Sequence, residues 1–422
     1  MAATTASPDN GTPPVRSVSG RRRWPRLTAI VVVAALLGTG MWLLRWSGGN
    51  SRTTPDTFWY ARDSFRYAGY AAPSADAMAA QVTCQGYQRV RPNYNYAGCL
   101  RYRNRLPQSA PIRFQRIFTS RPGYALLATP FVWVFGGAGF VIGSAAMAVA
   151  CGVALVVLAL AAGMRLIQAL LAEALFYLLP TGLWASRLLA EAPMMLCLIT
   201  SVIGAVLLLT RRRRPAVAAG LLAAGLAALC AVKPANGVAL AAALTVVAVV
   251  RLPFARARGR YGLVAAVAAA VLIGNFLVSA ALRLPGLYET LQDANTRHFH
   301  QPDVGDPWAR LGEMHHHLLT GHIGPHLLNH PIIAATYLVG AVGLFLRLRP
   351  DAAWPPFVAG LTGVMVIAMH PVTTETARLT VATWIPVALG LAALVGTRSP
   401  RGADQPRALP AAAQVRGPVR VT

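Results

Sequence analysis

Apolar positions in this chain neither alternate with polar ones nor recur on one helical face. They fill continuous blocks of roughly 18 to 22 residues, the length that crosses a bilayer's hydrocarbon core. Such blocks predict transmembrane helices, because a helix satisfies its own backbone in lipid. Reading every block as a span places the first over residues 27–44. The others fall near 123–139, 141–162, 166–184, 192–209, 216–232, 237–250, 261–282, 331–346, 354–370 and 380–396. The first block follows "RRRWPR" and has no small-residue cleavage motif after it, so it is expected to stay as a helix and not to be removed as a signal peptide.

Charge placement trims this count. With the N-terminal arginines in the cytoplasm, eleven spans would put "RRRR" (211–214) and "RLPFARARGR" (251–260) outside, against the positive-inside rule. The weakest block is "RPGYALLATPFVWVFGG", interrupted by Pro130 and ending in Gly136 and Gly137. Read as an interfacial or re-entrant element, it leaves ten helices and turns Arg165, both clusters, "RLRPD" (347–351) and the tail after Arg398 to the cytoplasm. The expected fold is an all-α polytopic membrane protein with about ten transmembrane helices in residues 27–396 and both termini cytoplasmic. A first extracytoplasmic loop over 45–139 carries interfacial helices, and a second covers 283–330. The first loop's twelve arginines are tolerated outside, because loops beyond roughly 60 residues cross regardless of charge. The tails at 1–26 and 397–422, rich in Pro, Ala, Gly, Ser and Thr, are expected to be disordered. The expected location is the plasma membrane, with the working face outside.

Composition agrees: 55% of the 422 residues are hydrophobic and 13% charged. A net charge of +25 would point to nucleic acid in a soluble domain, but here the arginines flank apolar blocks as topology signals, so no nucleic-acid partner is expected. Cys151, Cys197 and Cys230 lie in apolar blocks and read as small buried hydrophobes, with no metal-ligand spacing. Cys84 and Cys99 fall in the outer loop and are predicted to form a disulfide.

This topology gathers the remaining chemistry on the outer face: the first loop, Arg187 with Glu191, Lys233 with Asn236, the second loop, and "HPVTTETAR" (370–378) with Glu375 and Arg378. Carboxylates and cations beside lipid-facing helices suit a phosphorylated lipid handled at the membrane surface. Asp56 or Asp63 takes a proton from an acceptor hydroxyl, while Lys233, Arg121, Arg187 or Arg378 stabilises a departing phosphate. The other reading of Asp56 is a helix cap, since "PDTFWYARDSF" opens a helix at Thr57. The aromatics Phe58, Trp59, Phe65 and Tyr67 are expected to rest in the membrane interface, with Arg62 and Arg66 on one face toward lipid phosphates.

A first helix followed by an outer loop that opens with an aspartate and an aromatic-rich helix resembles the GT-C superfamily of membrane glycosyltransferases. "RIFTSRPGYALLATP" resembles the stretch that closes that family's first loop, and "LLPTGLWASRLLAEAPMMLCL" its proline, arginine and acidic element between the third and fourth spans. "VKPANGVAL" is similar to its "RPNG" turn and "TETARLTVATWIP" to its final element. The sequence departs from that pattern at Lys233, where arginine is usual, after Arg378, where a tyrosine is missing, and at Asp56, which has no acidic neighbour. The resemblance implies a polyprenyl-phosphate-linked sugar as donor and transfer with inversion. It also implies Asp56 as general base, with Asp63 second. The acceptor, whether glycan, lipid or protein, is not encoded. No cofactor is expected, and a divalent metal is left open.

Several residues carry competing readings. Lys233 is the chain's one lysine and either snorkels to headgroups or meets the donor phosphate. Glu191, beside Arg187, is either a turn residue or part of the site. Glu173 lies within a span and is either a functional carboxylate or a protonated or hydrogen-bonded bundle residue; its depth keeps it out of the outer site. Eight of nine histidines fall in 298–330, and His322, His326 and His330 are spaced by four. Gly324 and Pro325 disfavour a regular helix through that triplet and no further ligand completes a zinc site, so no metal is assigned. Arg297 and His298 are candidate donor contacts. Two other function classes fit parts of the sequence: an outer-face polysaccharide ligase or polymerase working on a lipid pyrophosphate through the late histidine loop, and a non-enzymatic lipid-linked sugar transporter or flippase. The early position of the large loop favours a GT-C enzyme over the first, and the lack of an inverted repeat counts against the second.

Overall fold

The computed structural model describes residues 23–48, 52–211, 214–255 and 257–395, and every regular element among them is helical. The tails expected to be disordered lie outside the described residues, except for the start of the first helix. That helix, α1 (Arg23–Ser47), lies at the edge of the bundle with most of its side chains exposed. A cap of shorter helices follows: α2 (Thr57–Tyr67), α3 (Ala72–Val90), α4 (Tyr96–Ser109) and α5 (Ile112–Thr119). The predicted disulfide forms, joining Cys84 of α3 to Cys99 of α4.

The demoted block is α6 (Gly123–Phe135), and it does not continue straight into α7 (Gly139–Ala161). Gly136 takes a left-handed φ of 56°, which glycine adopts at little cost, and the chain reverses there. A Cβ on Gly139 would strike the backbone of Phe131, so α6 folds back against the start of α7, held by Tyr124 and Ser144 hydroxyls 2.6 Å apart.

Next come α8 (Leu166–Leu178) and α9 (Pro180–Ala185). The single span expected over 166–184 is thus broken, because Pro180 lacks an N–H and Leu179 before it is extended. At about 1.5 Å per residue, α8 alone falls short of a bilayer's thickness. Arg45, at the end of α1, donates to the terminal carbonyls of α8 at Tyr177 and Leu178. The centre of the bundle is α10 (Glu191–Thr210), packed on α7 and on α11 (Pro215–Val232). Gly204 and Gly225 let α10 and α11 approach until backbones touch, the small-residue packing expected where lipid supplies no hydrophobic drive. Then follow α12 (Pro234–Arg251), α13 (Arg258–Ala281), the short α14 (Leu287–Asn295), α15 (Pro307–Leu318) and α16 (Gly324–Asn329). The described chain ends with α17 (Pro331–Arg347), α18 (Pro350–Met369), α19 (Thr376–Leu379) and α20 (Trp384–Leu394).

Among the described residues eight helical runs are long and apolar enough to cross a membrane, or nine if the pair 307–347, bent by 83° before Pro331, is one span. The chain is therefore an all-helical polytopic membrane protein. The expectation for the histidine triplet needs correction: residues 319–323 form a π-turn that absorbs Gly324 and Pro325 into a continuing helix. His322, His326 and His330 consequently form a column on an exposed surface, ring centres 6.4 and 4.9 Å apart.

Candidate functional site

Five helix ends meet at one end of the bundle, and each brings a charged residue. Asp56 precedes α2, Glu191 opens α10, Lys233 sits in the turn between α11 and α12, and Glu375 and Arg378 follow α18. Arg378 is the hub. Its Nε donates to Glu191 Oε1 at 2.5 Å, and its Nη1 donates to Asp56 Oδ2 at 2.8 Å and to Glu375 Oε1 at 3.3 Å. Lys233 Nζ donates to the same Glu191 oxygen at 2.9 Å. Glu191 is fully buried, while the Asp56 and Glu375 side chains are 24% and 39% exposed. The network therefore runs from an open carboxylate end to a buried one.

Asp56 holds the capping position of α2, yet its carboxylate makes no capping bond and points instead to Arg378. The helix-cap reading is thereby replaced by an ion pair. A buried charge pair is costly unless its remaining bonding capacity is satisfied, and here much of it is not. Glu191 Oε2, both amide atoms of Asn236, Arg187 Nε and His370 Nδ1 are buried without a partner. Arg187 lies one turn before Glu191, with its guanidinium 4.2 Å from the Trp184 ring centre. Asn236 lies one turn after Lys233. His370 feels the charges of Arg121, Arg378 and Lys233. Buried donors and acceptors around the paired charges are thus left without a partner among the described residues.

The environment tunes the groups outside the spans. Burial lowers the Lys233 ammonium from its usual value although Glu191 opposes the shift. Burial also pushes the His370 imidazole down to about 4, keeping it neutral, and the Tyr60 hydroxyl up to about 12. Tyr60 and Arg121 influence one another electrostatically, and Tyr60 also feels Asp56, Arg378 and Glu191.

Asp63 is not brought into this network. Its carboxylate accepts from Arg62 at 2.8 Å in a buried pair, and Arg62 also bonds Gln115 and stacks on Trp59. Burial raises the Asp63 carboxyl despite that charge. The interfacial reading of α2 is also corrected. Phe58, Trp59 and Phe65 are buried in the protein core, Trp59 against Phe114 and Phe118, and of the four aromatics Tyr67 alone is exposed. Arg62 is buried with Asp63, and Arg66 pairs with Asp76, so neither is set aside for lipid phosphate. The helix carries aromatics because α3, α5 and α6 cover it.

Arg297 is exposed and not part of the network, whereas the His298 ring makes a tilted contact with Phe114, bonds Asp293 at 3.1 Å and feels Asp56 and Glu375. Sequence reasoning passed over Tyr60, Asp293 and His370. His370 had a signal, since it opens the stretch that supplied Glu375 and Arg378. Among the described residues no group of three or more His, Cys, Asp or Glu is arranged to hold a metal ion. Glu173 is fully buried beside Gly38 and Gly152, with both oxygens unpartnered, inside the bundle.

A separate apolar groove of about 740 Å³ runs along α7 between α1 and the α10–α11 pair, lined by residues that include Trp42, Val149, Val153, Ile203 and Leu221. It shares no residue with the ion-pair network. No protein family, no curated protein and no solved structure matches this chain.

Proposed function

We propose that this protein is a membrane glycosyltransferase of GT-C type. It moves a sugar from a polyprenyl-phosphate donor to an acceptor hydroxyl at the extracytoplasmic face of the plasma membrane. The carrying observation is the convergence of Asp56, Glu191, Lys233, Glu375 and Arg378 from separate stretches of chain. That convergence also supports the parity of the topology. The end of α1, the start of α10, the α11–α12 turn and the end of α18 share one side, which leaves the arginine clusters at 211–214, 251–260 and 347–351 to the cytoplasm. The broken α8–α9 pair supplies the crossing expected over 166–184, and α6 is the interfacial element.

In the reaction the acceptor oxygen attacks the anomeric carbon on the face opposite the phosphate, and the carbon–phosphate oxygen bond breaks with inversion. The hydroxyl proton passes to Asp56. Charge gathering on the departing lipid phosphate is met by Arg378 and Lys233, with Arg187 and Arg121 beside them. The phosphate competes with Asp56 for Arg378, so donor binding frees the carboxylate oxygen that the acceptor needs. The apolar groove along α7 suits the prenyl chain. The ligase reading is less well supported, because its histidine column is exposed and bears none of the converging charges.

The test offers membranes containing the protein a panel of radiolabelled polyprenyl-phosphate sugars. Transfer of label from at least one to an endogenous acceptor is expected, and no transfer from any donor would overturn the proposal.

A further inference from the structure

Arg297, His298 and Phe299 are three consecutive residues with left-handed backbone, φ 50°, 60° and 60°. Each costs on the order of 1 kcal/mol or more when it is not glycine, so such a run persists only where its surroundings fix it. The fixings are evident. Phe299 N–H donates to Thr296 Oγ1 at 3.0 Å, Gln301 N–H to the Thr296 carbonyl at 3.0 Å and His298 N–H to the Asp293 carbonyl at 3.1 Å. Arg113 of α5 lies 4.4 Å from the Phe299 ring centre while it bonds Glu289 and Asp303, which clamps the second outer loop to the first.

The strained turn sets the His298 ring 4.7 Å from that of Phe114 and its Nδ1 3.1 Å from Asp293 Oδ1. A carboxylate on Nδ1 fixes the neutral tautomer with its proton there and leaves the lone pair on Nε2. That is the arrangement by which an aspartate orients a histidine for proton transfer. The side chain is 63% exposed, so a proton collected there has a path to water. Phe114 lies between the two sites: its ring is 4.7 Å from His298 and 5.9 Å from Trp59, one turn after Asp56. The charges that act on His298 are Asp293 of α14, bonded to it, and at longer range Asp56 and Glu375, while Arg113 of α5 lies over the neighbouring Phe299.

We propose that His298 is a proton-relay residue of the transfer step, held in orientation by Asp293, and that it receives through water the proton Asp56 takes from the acceptor. This rests on the glycosyltransferase reading. The balance closes. Asp56 accepts the proton as the acceptor's new glycosidic bond forms, passes it to Nε2 and regains the charge that pairs with Arg378. His298 then releases it to the outer solvent. An imidazole suits the task because its ordinary range lies near working pH. The Asp293 hydrogen bond is the largest influence on it and raises its pKa, against burial.

The experiment measures transfer against pH in the wild type, His298→Gln, His298→Asn and Asp293→Asn. Asparagine tolerates left-handed backbone and guards against simple misfolding. Site-resolved diethylpyrocarbonate labelling of His298 is measured alongside. The wild type should lose activity as pH falls through the histidine range. Asp293→Asn should move both that limb and the labelling midpoint to lower pH. Both His298 variants should lose the limb and about 100-fold in rate. Unchanged rate and pH profile in both His298 variants, or an unmoved labelling midpoint in Asp293→Asn, overturns the relay alone. Absence of transfer by the wild type at every pH overturns the enzyme reading and the relay with it.

Discussion

Arg378 reaches Asp56 across 322 positions of sequence, Nη1 to Oδ2 at 2.8 Å, so the carboxylate just before α2 is held by a cation that follows α18. Because Asp56 is partly exposed and caps nothing, Asp56→Asn should leave abundance near normal while transfer falls by roughly 100- to 10,000-fold. Asp63→Asn should behave in the opposite way. It strands the buried Arg62 and should destabilise by on the order of 3 kcal/mol, lowering yield more than turnover per folded molecule. Thermal unfolding and single-turnover transfer, measured on both variants, separate the two roles. Normal transfer by Asp56→Asn removes it as base.

Glu191 serves two cations through one oxygen. Glu191→Gln leaves Arg378 and Lys233 buried with too little negative charge, and the expected loss is again on the order of 3 kcal/mol. The unfolding midpoint in detergent should drop well below that of Glu375→Gln, whose carboxylate is more exposed and accepts at 3.3 Å. Equal midpoints would contradict the hub geometry.

The bond between Cys84 and Cys99 closes a loop with a sequence separation of 15. In the chain-entropy estimate it stabilises by about 3 kcal/mol. Cys84→Ser, or reductant added to the wild type, should lower the unfolding midpoint by the same amount. Reductant should then have no effect on the variant.

His370 is held neutral, its pKa depressed to about 4, mainly by burial. In the unfolded chain it takes a proton near pH 6.5. Between those values the unfolded state binds more protons than the folded one, so this contribution to stability is complete above about pH 6.5 and is lost as pH falls toward 4. His370→Gln should therefore show a shallower decline in unfolding midpoint across that window. An identical acid profile would mean that His370 titrates normally.

Reporters fused after Arg213 and Arg258 should read cytoplasm, and one after Asp306 should read outside, since only that parity places the converging helix ends opposite the arginine clusters. An outside signal at Arg213 would break the proposed topology.

Block length and the cysteine pair were legible in the sequence because each is a local matter. Lipid demands long apolar helices, and two cysteines 15 apart in one loop are close enough to pair. Pro130, Gly136 and Gly137 marked an interruption by the same local logic, and α6 ends at Gly136 and folds back on α7. The candidate residues at the five helix ends could be gathered onto one face, but not into contacts, since nothing near Arg378 in sequence says that it binds Asp56 and Glu191 at once. Tertiary packing also decided what the residues of α2 touch. An aromatic helix beside a membrane and an aromatic helix buried under α5 and α6 have the same composition, and only the covering helices show that Trp59 lies in the core and that Arg62 belongs to Asp63. The left-handed run at 297–299 left no trace in sequence, because its residues favour it only when the Arg113 clamp and the Thr296 hydrogen bonds from α14's end hold them there.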